Sequence, residues 1–293
     1  MAPTRRKKKR NRFTRALRGA MALLLLVGGG LFAVSPVPAL HGWVEEAGEK
    51  IATLEKRMRR RLGLPLRGTP DLTRLPQRLA EKGLAAGNPV FIRIFKRESE
   101  LEMWMQKEGR FIHFATYPVC RWSGRLGPKL KEGDRQSPEG FYTVERRQLN
   151  PNSRWHRSFN LGFPNVYDRA HGRTGSFLMV HGGCGSIGCY AMTNPVIDEI
   201  WRLVTAALDG GQRRFHVHVY PFRMTALNMA LHGSGRWHGF WQQLKQGHDL
   251  FEETRLVPRI SVCAGRYSVQ AATDARDSAR PVSRSCGVNL TRR

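Results

Sequence analysis

The sequence predicts an α+β fold in which β-strands dominate, with one internal helix and further helices at both flanks. Three observations predict it. Apolar and polar residues alternate from about residue 90 onward, glycine, proline and asparagine separate these stretches, and one stretch with helical spacing interrupts them. With 293 residues, 41% of them hydrophobic, the chain can bury a substantial core. We divide it into five parts, residues 1–39, 40–88, 89–222, 223–270 and 271–293.

Residues 1–39 have the pattern of an export signal. Basic residues between Arg5 and Arg18 precede an uncharged, Leu-rich run from Ala20 to Val34, and small residues and prolines follow up to Ala39. That order is typical of a signal peptide, and the run is shorter than the roughly 20 residues that a spanning helix prefers. An uncleaved inner-membrane anchor is the alternative. In both cases we expect the remainder of the chain in the periplasm.

Residues 40–88 are expected to form a helical linker segment. Apolar residues recur three or four positions apart between Val44 and Leu62, which is the spacing of an amphipathic helix. Glycines and prolines between Gly63 and Pro70 indicate a linker. A second short helix is expected from about Leu75 to Leu84, because Pro76 suits its first turn.

Residues 89–222 are expected to form the main, strand-rich domain. Alternating side chains predict strands at Val90–Phe95, Leu101–Met105, Phe111–Thr116, Phe141–Val144, Ser176–His181 and Phe215–Tyr220. The one internal helix begins at Asn194-Pro195 and is stopped by Gly210-Gly211.

Residues 223–270 are predicted to be a helical extension of this domain. Helical spacing continues from Pro221 to about Leu250, and a last strand is expected at Arg259–Cys263. From Ala271 onward the sequence is small, polar and dotted with arginine, so residues 271–293 are predicted to be a disordered tail.

The formal charge of +26 predicts anionic partners, which include nucleic acid, membrane surfaces and acidic polymers. Nine of the basic residues lie between Arg5 and Arg18, where they belong to the export pattern. The sequence has no zinc-finger spacing, ribonucleoprotein motif or basic zipper, so nucleic-acid binding is not expected. The remaining positive charge is typical of a solvated surface, and it also suits attraction to an anionic polymer.

The chain has five cysteines, at Cys120, Cys184, Cys189, Cys263 and Cys286. An odd number in a chain bound for an oxidising compartment predicts a free thiol. No Cys-x-x-Cys pair is present, and His216 and His218 on one strand face are only two of the ligands that a metal site needs. We therefore expect no metal and no cofactor.

A histidine and a cysteine flank a glycine-rich loop in the middle of the main domain. A predicted strand ends at His181, and Cys189 stands shortly before the helix that begins at Asn194. A helix N-terminus and a nearby imidazole lower the pKa of a thiol, and the thiolate is its reactive form. The histidine can take the thiol proton and return it to a leaving amine. The pattern predicts a cysteine nucleophile, and the alternative is a buried cysteine in a structural turn.

His181-Gly182 followed by Ser186-Ile187-Gly188-Cys189 resembles the His-Gly…Ser-x-Gly-Cys motif of the YkuD-type L,D-transpeptidase catalytic domain, and its YafK-like branch in particular. The resemblance extends over about residues 89–262. It includes the stretches Val90–Phe95, Thr116–Cys120, Leu126–Asp134, Ser137–Tyr142, Phe159–Asn165 and Pro221–Thr225. It implies a mainly β, YkuD-like catalytic domain with an active-site helix and flanking N- and C-terminal helices.

The resemblance implies that Cys189 is the nucleophile and His181 the general base and acid, with Ser186 and Gly188 in the catalytic turn and oxyanion site. The family reaction breaks the peptide bond after the L-centre of meso-diaminopimelate in a peptidoglycan stem peptide, which gives a thioester on the cysteine. The thioester passes to an amine or to water. The predicted function is therefore an exported cysteine L,D-transpeptidase. One alternative is a cysteine amidase or hydrolase that releases peptides or a lipoprotein from meso-diaminopimelate, and another is a non-catalytic cell-wall-binding module.

One departure from the family pattern affects the substrate. The family at large has an arginine two residues after its cysteine, where it is suited to hold a substrate carboxylate, but Tyr190 and Ala191 follow Cys189 here. Other cations must then take its place, because a guanidinium or an ammonium can each bind a carboxylate. We expect substrate binding by residues near the motif, namely Lys129, Tyr167, Arg169, Arg173 and Tyr190.

Two further assignments have alternatives. His171 lies 18 residues before Cys189, a spacing that some family members use for their base, but it stands in a polar loop whereas His181 ends a strand. Cys184 could form a disulfide with Cys120, protect the nucleophile from oxidation, or be an inert packed thiol.

Overall fold

The computed structural model describes Gly48, Ile51 and residues 53–286 of the chain. It contains two units, Met1–Arg61 and Leu62–Arg293. In the first unit residues 53–61 are helical, and Arg59 Nε donates to Glu55 Oε1 at 2.9 Å one turn earlier. This agrees with the later part of the helix predicted between Val44 and Leu62. The predicted export signal, residues 1–39, lies outside the described residues. Within the described part, no helix has both the length and the apolar character needed to cross a membrane.

The second unit contains twelve strands and five α-helices in its described residues. The strands are β1 (Val90–Phe95), β2 (Glu100–Lys107), β3 (Arg110–Pro118), β4 (Gly140–Glu145), β5 (Leu149–Ser153), β6 (His156–Asn160), β7 (Met179–His181), β8 (Tyr190–Ala191), β9 (Arg214–Tyr220), β10 (Arg259–Cys263), β11 (Arg266–Gln270) and β12 (Ser283–Arg284). The helices are α1 (Leu75–Glu81), α2 (Val166–Ala170), α3 (Asn194–Asp209), α4 (Ala226–Leu231) and α5 (His238–Thr254). Short 3-10 turns are formed by Leu72–Arg74, Arg146–Gln148 and Asp277–Ala279.

The strands form three sheets. The largest has the order β3-β2-β1-β9-β4, in which only the β1–β9 pair is parallel. A second sheet has the order β5-β6-β7-β8 and includes the parallel pair β7–β8. The third has the order β11-β10-β12. The predicted mainly β, α+β fold is therefore confirmed.

Helix α3 and helix α5 cover opposite faces of the large sheet. Val196, Ile200 and Val204 of α3 pack in one core with Ile92 and Val217 of the sheet. The aromatic residues on the other face contribute to further clusters, where Phe95 and Tyr220 meet Trp241 and Leu244 of α5. All six residues of β1 are buried as a result, including Arg93, which pairs with Glu102 at 2.7 Å.

The prediction of a disordered tail is wrong for residues 271–286. β12 pairs with β10 in parallel, and a disulfide joins Cys286 to Cys263 with a Cα–Cα distance of 4.7 Å. Asp277, which is 8% exposed, forms ion pairs with Arg259 at 3.3 Å and Arg280 at 3.0 Å. These long-range links order a segment whose polar composition alone predicts disorder. Residues 287–293 lie outside the described part.

Candidate active site

The glycine-rich catalytic loop, residues 182–189, connects β7 to β8 just before α3. The parallel register places Val180 beside Tyr190 and His181 beside Ala191. The end of β7 at His181 therefore lies beside the end of β8 at Ala191, and Cys189, which directly precedes β8, comes next to Met179 at the start of β7. Gly183 N–H donates to Asn194 Oδ1 at 2.8 Å, which ties the loop to the first residue of α3.

Cys189 is the one cysteine of the five that is not in a disulfide, as the odd count predicts. Its half-buried Sγ accepts a hydrogen bond from Met179 N–H at 3.4 Å and lies 3.6 Å from Phe177 O as a donor. Burial raises the pKa of the Cys189 thiol, while the Met179 amide and the positive charge of Lys129 act in the opposite direction. The resting group is therefore a neutral thiol at neutral pH.

His181 is 2% exposed and lies at the end of β7. Its Nδ1 is 2.5 Å from Gly182 O, and because a carbonyl oxygen only accepts, Nδ1 carries the proton and donates it. In the neutral ring Nε2 then has a free lone pair. Burial lowers the pKa of His181, so that the ring is neutral and able to accept a proton at pH 7. The described hydrogen bonds include none between this ring and Cys189 Sγ, which donates to Phe177 O instead.

Three serines hold the turn that carries Cys189. Ser186 Oγ donates to Cys189 O at 2.7 Å and Ser137 Oγ donates to the same oxygen at 3.1 Å. Ser123 Oγ lies 3.1 Å from Ser186 Oγ and accepts from Gly188 N–H at 2.5 Å. These hydrogen bonds fix the carbonyl oxygen of Cys189 and do not use the N–H of the same residue.

The same hydrogen bonds determine which backbone N–H groups are free to donate to an oxyanion. Gly188 N–H is already used by Ser123, so its predicted place in the oxyanion site is limited to shaping the turn. Gly188 has φ +122°, a conformation that a side chain rarely adopts, and a Cβ there would lie 3.1 Å from Leu178 Cδ1. No hydrogen bond among the described residues uses the amide of Cys189, which leaves that N–H as the candidate donor to an oxyanion.

A disulfide joins Cys184 of the loop to Cys120 just after β3, with a Cα–Cα distance of 5.3 Å. Leu66 packs against both cysteines. Cys184 N–H donates to Met192 O at 3.2 Å, and Cys120 N–H donates to Ala191 O at 2.8 Å. Of the alternatives for Cys184, the structure contains the pairing with Cys120, which fastens the loop to the large sheet.

Of the three cations expected to bind substrate, only Lys129 influences Cys189. Lys129 is 5% exposed, its Nζ lies 2.5 Å from Asp134 Oδ1, and its charge acts on the pKa of the Cys189 thiol. Arg173 is instead buried in an ion pair with Asp168 at 2.8 Å. Arg169 is exposed and donates to Pro164 O. Neither arginine contacts the catalytic loop in the described part of the chain.

The two tyrosines expected to bind substrate are packed inside the domain. Tyr190 is fully buried and its hydroxyl donates to Pro138 O at 2.7 Å. Tyr167 stacks on Tyr267 with ring centroids 4.1 Å apart. The interpretation of Tyr167, Tyr190 and Arg173 as substrate-binding residues is corrected accordingly, because their side chains are enclosed by protein.

The other three histidines considered as base or metal ligands, His171, His216 and His218, have their contacts outside this turn. His171 Nε2 lies 2.6 Å from Gly265 O, to which it donates, and its ring packs at a tilt of 34° against Tyr167, with centroids 4.3 Å apart. His216 and His218 are buried in β9, and no group of three His, Cys, Asp or Glu in the described residues is arranged to hold a metal.

Sequence reasoning missed Ser123 and Ser137, whereas Trp155 was expected to line the groove for the stem peptide. The rings of Trp155 and His181 lie 6.0 Å apart, and a Cβ on Gly183 would lie 3.2 Å from the indole. Ser137 opens one of the stretches that resemble the family, which was the available signal for it. No local pattern marks Ser123, because its contacts with the loop are made across the fold.

Residues 91–242, just over half of the chain, match the YkuD family, the L,D-transpeptidase catalytic domain. The fold and this match define a catalytic domain of the L,D-transpeptidase class. The chain is 52% identical over 183 residues to the Escherichia coli K12 protein named "Putative L,D-transpeptidase YafK", which covers 62% of this chain and 74% of that protein, and the same figures hold for the O157:H7 strain. The chain belongs to the YkuD L,D-transpeptidase family. Membership implies a peptidoglycan substrate.

Two solved structures are also similar. The helical cell shape determining protein Pgp2 from Campylobacter jejuni has 20% identity and a TM-score of 0.37 over 50% of this chain and 55% of that one. Bd1075 from Bdellovibrio bacteriovorus has 17% identity and a TM-score of 0.34 over 57% of each chain. This chain thus spans little more than half the length of these proteins, and the scores are too low for a detailed comparison.

Proposed function

We propose that the protein is an exported cysteine L,D-transpeptidase that acts on peptidoglycan stem peptides at meso-diaminopimelate through a thioester on Cys189. The observation that carries the proposal is the presence of the one cysteine outside a disulfide and a neutral imidazole on two adjacent, parallel-paired strands. Family membership supplies the substrate class. The export pattern in residues 1–39 supports a periplasmic location.

The protonation states of the two groups suit general-base catalysis. His181 Nε2 takes the proton of Cys189 as Sγ attacks the carbonyl carbon at the L-centre of meso-diaminopimelate. The new oxyanion accepts from the amide of Cys189, which has no acceptor among the described residues. When the C–N bond breaks, the leaving amine takes the proton from His181 Nε2, and the acyl group remains as a thioester.

The second half of the reaction reverses these roles. An acceptor nucleophile loses its proton to His181 Nε2 and attacks the thioester. As the C–S bond breaks, Cys189 Sγ takes that proton from His181, which restores the thiol and the neutral imidazole. An amine acceptor gives a cross-link or a peptidoglycan-linked lipoprotein, whereas water gives hydrolysis. The groups named so far carry out either outcome.

A second candidate, a cysteine amidase or hydrolase that releases peptides or a lipoprotein from meso-diaminopimelate, is favoured by one observation. The arginine that family members have two residues after the cysteine is Ala191 here, and Ala191 is fully buried. Lys129 is the cation at the site, but Asp134 already neutralises much of its charge. If the missing arginine would have held the carboxylate of an acceptor, an amine acceptor is bound less tightly here, and water competes better for the thioester.

The test is incubation of the purified protein with meso-diaminopimelate tetrapeptide muropeptides, with and without an added D-amino acid, and analysis of the products by mass. Amine exchange or cross-linking indicates a transpeptidase, and a tripeptide formed only by water addition indicates the hydrolase. Absence of every product, together with an unmodified Cys189, would contradict both. A carbapenem provides an independent probe, because acylation of the Cys189 thiol gives one mass increment that a Cys189→Ala variant lacks.

A further inference from the structure

A cleft of about 610 Å³ opens at the C-terminal end of α3, whereas Cys189 lies before its N-terminal end. Its walls come from the start of β1 at Val90, the segment from Gly210 to His216, and the C-terminal segment from Ala275 to Pro281. None of its lining residues belongs to the catalytic loop. Because α3 has 16 residues, it separates the two places by about 24 Å. The volume is that of a small-ligand pocket.

The lining of this cleft is strongly cationic. Four arginines contribute to it, Arg213, Arg214, Arg276 and Arg280, and no Asp or Glu does among the described residues. Arg214 pairs with Glu145 at 3.2 Å and Arg280 with Asp277 at 3.0 Å. Arg213 and Arg276 are exposed and have no ion pair within the described part of the chain. Two positive charges are therefore available to an anion.

Buried polar groups that line the cleft lack hydrogen-bond partners among the described residues. His216 is 3% exposed, and neither of its ring nitrogens has a hydrogen-bond partner in the described residues. The buried Nε of Arg214 has none either. The two residues are two positions apart on β9, so their side chains leave the same face of the strand. Buried donors are normally paired, and a ligand oxygen is one group that would pair them.

The cleft also has an apolar wall, formed by Val90, Phe111 and Val257. An inorganic ion would leave this wall without contacts. We propose that the cleft binds a small organic anion, with a phosphate or carboxylate group held by Arg213 and Arg276 and an apolar group against Phe111 and Val257. Arginine suits this task because its planar guanidinium binds both kinds of oxyanion through two hydrogen bonds.

The test uses phenyl phosphate as the probe and isothermal titration calorimetry of the full chain as the measurement. Saturable binding at a single site is expected. The R213A/R276A double variant should weaken it roughly tenfold or more, because each guanidinium contributes charge-assisted hydrogen bonds. Arg202→Ala is the matched control, since Arg202 is an exposed arginine of α3 outside the cleft, and it should leave the affinity unchanged. Binding should also weaken with added salt.

Three further binding measurements, on the Cys189→Ala variant and with two other ligands, test whether the cleft binds as proposed. The Cys189→Ala variant should bind phenyl phosphate as the wild type does, which separates this cleft from the catalytic turn. Inorganic phosphate and benzyl alcohol should each bind at least tenfold more weakly, since each lacks one half of the ligand. Equal affinity in the wild type and R213A/R276A, equal affinity for inorganic and phenyl phosphate, or no binding at millimolar ligand would each overturn the proposal. An unchanged alkylation rate of Cys189 verifies that the double variant is folded.

Discussion

Cys189 is half-buried and His181 is buried, and burial shifts their pKa values in opposite directions. It raises the pKa of the thiol and lowers that of the imidazole, so that both groups are neutral near pH 7. A neutral pair has no resting charge to stabilise inside the protein, and the proton moves only as the carbonyl is attacked. The base form of His181 predominates above its lowered pKa, so we expect activity to persist to more acidic pH than an ordinary histidine would permit.

Replacing Cys189 with serine should reduce muropeptide turnover by several orders of magnitude, because a hydroxyl beside a neutral imidazole is a far weaker nucleophile than a thiol. The unfolding temperature should change little, since the side chain is half-buried in a loop. Turnover and thermal unfolding are measured on the same preparations. A serine variant within a few-fold of wild type would remove Cys189 from the mechanism.

Replacing His181 with alanine should lower turnover about 10²–10⁴-fold, which is the usual contribution of a general base. The matched control is His171→Ala. His171 donates to Gly265 O away from the loop, so its loss should change turnover less than about threefold. Iodoacetamide alkylation rates of Cys189 across pH should follow the same order in the two variants. The reverse order would assign the base to His171.

Sequence reasoning about single residues succeeded where local spacing was enough. Cys189 and His181 stand at the two ends of one short loop, and this closeness along the chain was enough to assign them to one site. The parallel pairing of β7 with β8 could not be predicted, because a loop this short usually joins antiparallel strands. It failed for Arg173 and Tyr190, whose polar groups find partners in Asp168 and Pro138 inside the fold. Charge and hydroxyl groups are visible in a sequence, but their enclosure depends on the three-dimensional packing around them.

At the scale of elements, the loop between β3 and β4 is built around one buried ion pair. Lys96 and Glu139 are both 0% exposed and lie 2.9 Å apart. Lys96 Nζ also donates to the carbonyls of Arg125 at 2.8 Å, Gly127 at 2.9 Å and Ser137 at 3.1 Å. The ammonium group of Lys96 therefore holds together the loop that supplies Ser123 and Ser137 to the catalytic turn.

Lys96→Met should destabilise the protein by about 3–5 kcal/mol, because Glu139 would be left as an unpaired buried charge and three carbonyls would lose a donor. Adding Glu139→Gln to this variant should restore part of the loss, since the amide carries no charge. Urea unfolding of the two variants measures both effects. A loss below about 1 kcal/mol in Lys96→Met would show that the loop is held by other contacts.

The elements with strong local signals were predicted closely, and the others were not. Helix α3 begins at Asn194 and ends at Asp209, as Pro195 and Gly210 indicate. Strands β5 and β6 were missed because Asn150, Pro151 and Asn152 have the composition of a turn. Side chains of β1 alternate between the two faces of the sheet, but α3 covers one face and α5 the other. Neither set of side chains is therefore exposed.

At the scale of the whole molecule, the C-terminal segment completes the domain. β12, the Cys263–Cys286 disulfide and the ion pairs of Asp277 fasten it beside β10, and its residues form one wall of the cationic cleft. The composition of this segment predicts disorder because it has few apolar residues. The sequence could not show that a cross-link and a parallel strand pair would replace them.

The C263S/C286S double variant should lower the free energy of unfolding by about 2–4 kcal/mol, because the unfolded chain regains the freedom of a closed loop. Alkylation of Cys189 should proceed at the wild-type rate, since this disulfide lies outside the catalytic loop. Denaturant unfolding under non-reducing conditions provides the first quantity and iodoacetamide the second. Unchanged stability would mean that the strand pair alone retains the segment.

The Cys120–Cys184 disulfide makes the catalytic loop sensitive to the redox conditions around the protein. Under reducing conditions this bridge opens, and the loop beside Cys189 loses its covalent link to Cys120. In the exported protein proposed above, the bridge would therefore form on arrival in an oxidising compartment. The same logic applies at the bench, because a reductant that protects Cys189 also opens the bridge. Turnover should therefore rise and then fall as the reductant concentration increases.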